Sequence, residues 1–390
     1  MSATPQLAPA PQKLILVVDD TPLNISVISG ALKDSYKTKV ATNGEKALAL
    51  ASAEEKPDLI LLDIMMPGMD GYEVCTHLKA DPATSEIPVI FLTGQTSAED
   101  ETRGFEVGAV DYVHKPFSPA VVKARVRSHI LLREARAQLA AQLLALNNEL
   151  EMARQIQLSI LPHSIPQLPG LKIAARFLPM TSVAGDFYDF IQIDDKHIGI
   201  LIADVSGHGL PSALIASMLQ VALTGQAAHA SEPAKVLAGL NRALCGKFTH
   251  NFVTAAYVYM DLEKNLTRYA GAGHPPVLQW RKSTGKTNKV LENGLILGMF
   301  EEAGYEALEF SLEPGDRYVL YTDGVLEAAN TAQEQFGADR FMRFIENQNN
   351  LDVDQFSQAF LTELSGWTNQ TSEQGQQDDI TLLVVDFLPE

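Results

Sequence analysis

Asp58-Leu59-Ile60-Leu61-Leu62-Asp63-Ile64-Met65-Met66-Pro67-Gly68-Met69-Asp70-Gly71 opens with a short apolar run that closes on a carboxylate. A run this short, bounded by acids, suits a strand buried on both faces better than a helix of ordinary length. Runs of the same kind flank it at Leu14–Val18, at Val89–Leu92 and, shorter, at Val110–Val113. Helical patterns lie between them, among them Thr21–Ala31, Gly44–Ala53 and Gly71–Lys79. Strands alternating with helices imply right-handed crossovers and a parallel sheet covered on both faces, so residues 13–130 are expected to form one doubly wound α/β domain. In such a sheet, ligands gather outside the carboxyl ends of the strands. Asp19-Asp20 ends the first run and Asp63 the third, while Thr93 and Lys115 follow the later ones. Three carboxylates converging there repel one another unless a cation joins them. Thr93 supplies a hydroxyl and Lys115 a fixed positive charge, and Lys115-Pro116 is a candidate cis peptide that would aim the lysine inward. Asp100 and Asp111 read as solvated acids.

This constellation resembles the response-regulator receiver family, with its CheY-like fold, over essentially all of residues 13–130. The resemblance rests on Asp19-Asp20, on the stretch around Asp63, and on Thr93-Gly94, Tyr112 and Lys115-Pro116-Phe117. It implies that Asp63 accepts a phosphoryl group from a sensor histidine kinase or phosphotransfer protein. It further implies that Asp19, Asp20, Asp63 and the Met65 carbonyl form a Mg²⁺ site, that Thr93 and Lys115 bind phosphoryl oxygens, and that Tyr112 is an aromatic switch.

Beyond this domain, Pro119 to Leu161 is helical in pattern, with no Gly or Pro between Val121 and Ile160. Leu132, Leu139, Leu143, Leu146 and Leu150 follow heptad spacing, and Ala153, Gln157 and Ile160 continue it. A sustained seam of this kind suggests a coiled-coil linker over 131–161, and hence a homodimer. The alternative is a helix lying on its own domain; a connector between two domains needs a partner for its stripe, which favours the dimer.

Residues 162–390 change pattern again. Strand-like stretches (Leu171–Leu178, His197–Asp204, Phe252–Asp261, Thr267–Ala272, Arg317–Thr322, Ile380–Phe387) alternate with helical ones near Pro211–Ala227, Pro233–Lys247 and Asp354–Trp367. Short turns between strands predict antiparallel pairing and an α+β layered sheet–helix domain. Four acidic motifs stand beside these strands: Ala184-Gly185-Asp186-Phe187-Tyr188-Asp189, Ala203-Asp204-Val205-Ser206-Gly207-His208-Gly209, Tyr321-Thr322-Asp323-Gly324-Val325 and Gln377-Asp378-Asp379-Ile380-Thr381. Each is weak alone, because an acid at a strand end can merely cap a turn. Together, with Gly beside three of them, they suggest hard oxygen ligands with backbone in close approach. Neither a Cys nucleophile motif nor a Ser-His-Asp arrangement is present, so metal-activated water is favoured over covalent catalysis. Gly207-His208-Gly209 reads as the tight turn opening the helix at Pro211, and His274 as an ordered loop residue near the site.

From about Glu149 to Phe387 the order of motifs resembles the type 2C, PPM-type phosphatases, specifically the bacterial SpoIIE/RsbU branch, an αββα layered sandwich. The entry helix Glu149-Leu150-Glu151-Met152-Ala153-Arg154-Gln155-Ile156-Gln157 and Leu161-Pro162 belong to the match. The resemblance implies two Mn²⁺ or Mg²⁺ ions held by Asp186, Asp204 and the Val205 carbonyl, with Asp323 and Asp378 completing one side. Asp379 stands where many relatives carry Asn, so the ligand is Asp378 or Asp379. Ala184 replaces the first Gly of the usual Gly-Gly-Asp. The implied activity is serine/threonine phosphoprotein phosphatase, and the implied substrate is a phosphorylated anti-sigma-factor antagonist of STAS type.

Composition agrees with these readings. Hydrophobic residues make up 46 % and charged residues 20 % of 390, which is ordinary for a folded chain. The net charge of -18 argues against nucleic acid and against anionic membranes. No apolar run approaches a membrane span, Met1–Lys13 carries no signal core and reads as a short disordered tail (1–12), and a cytoplasmic protein is expected. Cys75 and Cys245, far apart, read as reduced thiols. A phosphodiesterase or nucleotide cyclase output lacks its His-Asp pairs or Gly-Gly-Asp/Glu-Glu-Phe loop here, and a DNA-binding output lacks a basic helix-turn-helix. The remaining rival is a non-catalytic adaptor that binds a partner through the second domain.

Overall fold

The computed structural model describes residues 12–94, 98–248, 250–369 and 378–388, without the side chains of 98–101. The expected tail, the side chain of Asp100 and Gln377 of the last acidic motif therefore lie outside the described residues. The chain divides into two compact units, Met1–Ala145 and Leu146–Glu390.

In the first unit, β1 (Leu14–Val18), β2 (Lys37–Ala41), β3 (Leu59–Asp63), β4 (Val89–Thr93) and β5 (Asp111–His114) form one parallel sheet in the order β2-β1-β3-β4-β5. The helices are α1 (Pro22–Leu32), α2 (Gly44–Ala51), α3 (Gly71–Ala80), α4 (Ala98–Glu106) and α5 (Pro119–Ile160). Strand alternation sorts the core onto two faces. Leu16, Val18, Ile60 and Leu62 pack with Ala47, Val74 and Leu78 of α2 and α3. Ile15, Val17, Leu59 and Leu61 face the other way, onto Ile28 of α1 and Val122, Val126 and Ile130 of α5. Asp70 caps α3 in a reciprocal box: it accepts the Glu73 N–H at 2.8 Å while Glu73 accepts the Asp70 N–H at 3.0 Å.

Asp111 is corrected by the structure. It is 9 % exposed, takes Arg125 Nη1 at 2.9 Å and meets His129 Nε2 at 2.9 Å, so it ties β5 to α5 rather than facing water. Its place at the start of β5 beneath α5, which sequence spacing does not reveal, buries it.

The second unit stacks two sheets between helices. Its elements are β6 (Leu171–Leu178), β7 (Phe187–Gln192), β8 (His197–Val205), α6 (Leu210–Thr224), α7 (Pro233–Leu244), β9 (Val253–Asp261), β10 (Leu266–Ala272), β11 (Val277–Arg281), β12 (Lys286–Val290), β13 (Asn293–Gly294), β14 (Leu308–Ser311), β15 (Arg317–Tyr321), α8 (Gly324–Glu327), α9 (Ala338–Asn347), α10 (Val353–Thr368) and β16 (Ile380–Phe387). One sheet runs β13-β10-β9-β8-β7, with β14 also on β10; the other runs β12-β11-β15-β16-β6. Alternate residues again point to different layers. Tyr318, Leu320, Leu383 and Val385 join the core between the sheets, which continues under α6 and α7. Val319, Tyr321, Leu382 and Val384 join Phe341, Phe356 and Phe360 under α9 and α10. This is the expected αββα order.

Arg317 and Asp386 face each other across β15 and β16 in a bidentate pair, Nε–Oδ1 at 2.6 Å and Nη2–Oδ2 at 2.7 Å. Arg317 is 3 % exposed and also donates to the Leu351 carbonyl, so it fixes the two strands whose other ends carry Asp323 and Asp378. Arg317→Met should therefore destabilise the second unit by about 3 kcal/mol, because Asp386 loses its counter-charge. Chemical denaturation followed by Trp fluorescence reads this, since Trp280 and Trp367 both lie in that unit.

Candidate functional site

The receiver carboxylates meet at the carboxyl edge of the first sheet. Asp19 and Asp20 directly follow β1, Asp63 is the last residue of β3, Thr93 the last of β4, and Lys115 follows β5. Asp19, Asp20 and Asp63 each bring an oxygen within 4.8 Å of the others. Asp19 and Asp63 are buried and Asp20 is exposed. Lys115 Nζ bridges Asp19 Oδ2 at 2.9 Å and Asp63 Oδ2 at 2.7 Å. Burial pushes the Asp63 carboxyl up; Lys115 opposes that shift and Asp19 adds to it. Burial works against the charge on Lys115, but Asp63 and Asp19 outweigh it and raise its pKa. One lysine thus answers two buried acids, which leaves the trio suited to a divalent cation. Thr93 is buried beside β5, and Lys115-Pro116 is cis. Tyr112 is half-buried and stacks edge-on against Phe105 and His114. Asn24, which sequence reasoning passed over, donates to both oxygens of Asp19 at 3.0 and 2.9 Å and holds that carboxylate in place.

In the second unit the four acidic motifs come to one end of the two sheets. Asp186 precedes β7, Asp204 lies near the end of β8, Asp323 follows β15, and Asp378-Asp379 precedes β16. Asp186 is 2 % exposed and straddles the layers: its Oδ2 accepts Thr322 Oγ1–H at 2.8 Å and Thr381 Oγ1–H at 2.6 Å, both from the other sheet. Burial and the nearby Asp204 still push its pKa well up. Asp204 is raised to about 7, by burial first and then by Asp323, Asp378, Asp379 and Glu327, every one of them acidic. Burial, Asp378 and Glu327 raise Asp323 as well. Among the described residues, Asp19, Asp20 and Asp63 are the acids whose oxygens lie within 4.8 Å of one another. In the second unit Asp204, Asp323 and Asp378 act on one another electrostatically, a donor chemistry that suits a divalent cation.

Asp378 and Asp379 separate cleanly. Asp379 is 4 % exposed and spends both oxygens on backbone, accepting the Met180 N–H at 2.7 Å and the Gly185 N–H at 2.6 Å. Asp378 is half-buried and acts on both Asp204 and Asp323, whereas Asp379 acts on Asp204 but not on Asp323. The glycines serve chain-to-chain approach: a Cβ on Gly185 would lie 2.7 Å from the Val205 carbonyl. Gly207 and Gly209 have φ of 86° and 82°, so the turn into α6 does need glycine, and His208 beside them is exposed. His274 is buried, its Nδ1 2.8 Å from Thr254 Oγ1, and Thr254 pairs with Asp204 across β8 and β9. Burial drives its pKa down to about 3, so it is a neutral brace under the site. Thr322, Thr381, Glu327 and Gln157 were not singled out from sequence. The two threonines could have been, since each lies within two residues of a motif aspartate.

The two sites define a class: a phosphoacceptor-type α/β receiver and a layered αββα unit with a nest of aspartates. Residues 194–388 match the family described as stage II sporulation protein E (SpoIIE), and residues 15–127 match the response regulator receiver domain. The chain belongs to the SpoIIE family and carries a response regulator receiver domain. Among its relatives, phosphoserine phosphatase RsbU of Bacillus subtilis is 33 % identical over 183 residues, 47 % of this chain and 54 % of that protein. A probable cyclic di-GMP phosphodiesterase of Vibrio cholerae is 51 % identical over 119 residues, 30 % of this chain and 27 % of that protein. The chain thus spans about half or less of the length of these curated relatives. The SiaA-PP2C domain of Pseudomonas aeruginosa superposes with a TM-score of 0.56 at 24 % identity, covering 64 % of this chain and 99 % of that one; it shares the fold. Among the described residues, no helix is long and apolar enough to cross a membrane.

Asp63→Asn should abolish labelling of the chain by radiolabelled acetyl phosphate, while Asp100→Asn leaves it intact. Phosphate-affinity gels read both.

Proposed function

We propose that this chain is a two-component response regulator whose receiver controls a metal-dependent serine/threonine phosphoprotein phosphatase. The observation that carries the reading is the convergence of Asp186, Asp204, Asp323 and Asp378 at one end of the two sheets, where burial first and acidic neighbours second raise Asp204 to about 7. Asp186, Asp204 and the Val205 carbonyl would hold a pair of Mn²⁺ or Mg²⁺ ions, with Asp323 and Asp378 on one side. When bound, the pair supplies positive charge for the phosphoryl oxygens and lowers the pKa of water. Thr322 and Thr381 keep Asp186 in one orientation, and Asp379 holds the loop backbone from Met180 to Gly185 rather than a metal. In the reaction, water oxygen attacks phosphorus, the bond from phosphorus to the serine or threonine oxygen breaks, and that oxygen takes up a proton.

Asp63 would accept the phosphoryl group from a sensor histidine kinase or phosphotransfer protein, with Asp19 and Asp20 holding Mg²⁺. Lys115 and Thr93 would receive the phosphoryl oxygens. The likeness to RsbU and to the SpoIIE family supports a phosphorylated STAS-type anti-sigma-factor antagonist as the substrate. The exposed stripe Leu132, Leu139, Leu143 and Leu146 on α5 supports a homodimer.

Hydrolysis of p-nitrophenyl phosphate by the purified chain with Mn²⁺, with and without acetyl phosphate, tests the reading. Asp204→Ala and Asp323→Asn should each lower kcat/KM by about 100-fold or more, and EDTA should abolish turnover. Absence of turnover in both states of the receiver, with Mn²⁺ bound, would favour the adaptor. Leu139→Glu combined with Leu143→Glu should convert dimer to monomer in sedimentation velocity.

A further inference from the structure

Near its carboxyl end α5 carries a buried amide. Gln157 is 5 % exposed; its Nε2–H donates to the Ala184 carbonyl at 2.6 Å, and its Oε1 accepts the Ala184 N–H at 2.9 Å. These partners fix which end of the amide is oxygen, since the Ala184 carbonyl can only accept and its N–H can only donate. Heptad spacing places Gln157 on the seam of a coiled coil, yet the structure spends it on the unit's own loop. Ala184 is fully buried between β6 and β7, so without Gln157 both of its backbone groups would be buried without a partner.

Three consecutive residues of that loop are tied to different parts of the unit. Ala184 is held by α5. Gly185 donates to Asp379 at 2.6 Å and has the Val205 carbonyl against its Cα. Asp186 is gripped by Thr322 and Thr381. Two of these anchors come from residues flanking the acidic motifs, and the remaining one is the connector helix. The loop has no slack between them: Gln157 acts two residues from Asp186 and one residue from the contact with Val205.

We propose that Gln157 is a positioning residue through which α5 sets the Ala184–Asp186 loop, and with it the placement of Asp186 and Val205 for metal. The inference rests on the phosphatase reading above and adds the point at which the connector helix grips that site. A shift or rotation of the last turn of α5 is passed to Ala184 through the two hydrogen bonds of the buried Gln157 amide. The bonded arrangement is the one the structure shows, and breaking these two bonds would be the second state that coupling between sites requires.

The test uses the full chain. Gln157→Met keeps the side-chain volume and removes both hydrogen bonds; Gln155→Ala, on the exposed side of the same helix, is the control. Mn²⁺ affinity is read by electron paramagnetic resonance of the free ion, together with kcat and KM for p-nitrophenyl phosphate. Gln157→Met should weaken Mn²⁺ binding by about tenfold or more and lower kcat with little change in KM, while Gln155→Ala stays within about twofold. A folded Gln157→Met protein that binds Mn²⁺ within about twofold of the parent overturns the proposal. Should the parent bind Mn²⁺ but not hydrolyse the ester, the phosphatase reading fails and the affinity comparison still decides the role of Gln157. If Gln157→Met does not fold, hydrogen exchange of the parent with and without Mn²⁺ decides. Slowing at both 183–187 and 154–160 supports the coupling; slowing at 183–187 alone overturns it.

Discussion

Like charges held close together at low exposure are the constraint around which the second unit is organised. A carboxylate loses hydration on burial and gains repulsion from each acidic neighbour, and both effects favour its protonated form. Asp204, raised to about 7, feels both. Such a nest persists only because the scaffold pays its cost elsewhere, in two stacked sheets whose inner and outer faces are filled with Tyr, Leu, Val and Phe. Hydroxyls and backbone N–H groups then orient Asp186 and Asp379. Thr322 and Thr381 hold Asp186 from the opposite sheet, and Asp379 binds the Met180 and Gly185 N–H groups.

The first unit meets the same problem with a different remedy. Its buried acids, Asp19 and Asp63, share one lysine, Lys115, brought in from the end of β5. A lysine is a compact charge on a flexible stem with three rotatable donors, so one side chain can serve both acids at once. The second unit has no lysine in the corresponding role among the groups acting on Asp204. The two buried acidic sites thus differ in counter-charge: one holds a lysine between its acids, the other shows only acids acting on Asp204.

Strands in the middle of sheets were legible because burial on both faces writes an apolar run into the sequence. β1, β3 and β4, and likewise β8, β9, β15 and β16, were located in this way to within about two residues, the usual uncertainty at element ends. Edge strands divided: β5 and β6 were located, whereas four others were not singled out. β2, β7, β12 and β14 each border a sheet or pair on its outer side, carry polar residues on their free face, and leave little periodic signal. The interior strand β11, with Gln279 and Arg281 in its run, and the amphipathic helix α9 were also passed over. Asp111 looked like a surface acid because nothing local reveals that Arg125 and His129 stand over it.

The sequence by itself determined which residues carry chemistry: an acid at a strand end, a glycine beside it and a lysine before proline are local patterns with local causes. It also determined the order of the two units and the existence of the helix between them, through the lengths and periods of the apolar runs. Only the tertiary structure decided how residues far apart in the chain divide the work. Asp378 and Asp379 are neighbours in sequence, yet Asp378 acts on Asp323 while Asp379 accepts the Met180 and Gly185 N–H groups, contacts that only the fold brings together. Gln157 reads as one more seam position of a heptad and becomes a clamp on Ala184, because its place depends on a loop 27 residues away. Spacing along a chain records which face a residue shares; which partner waits on that face depends on packing.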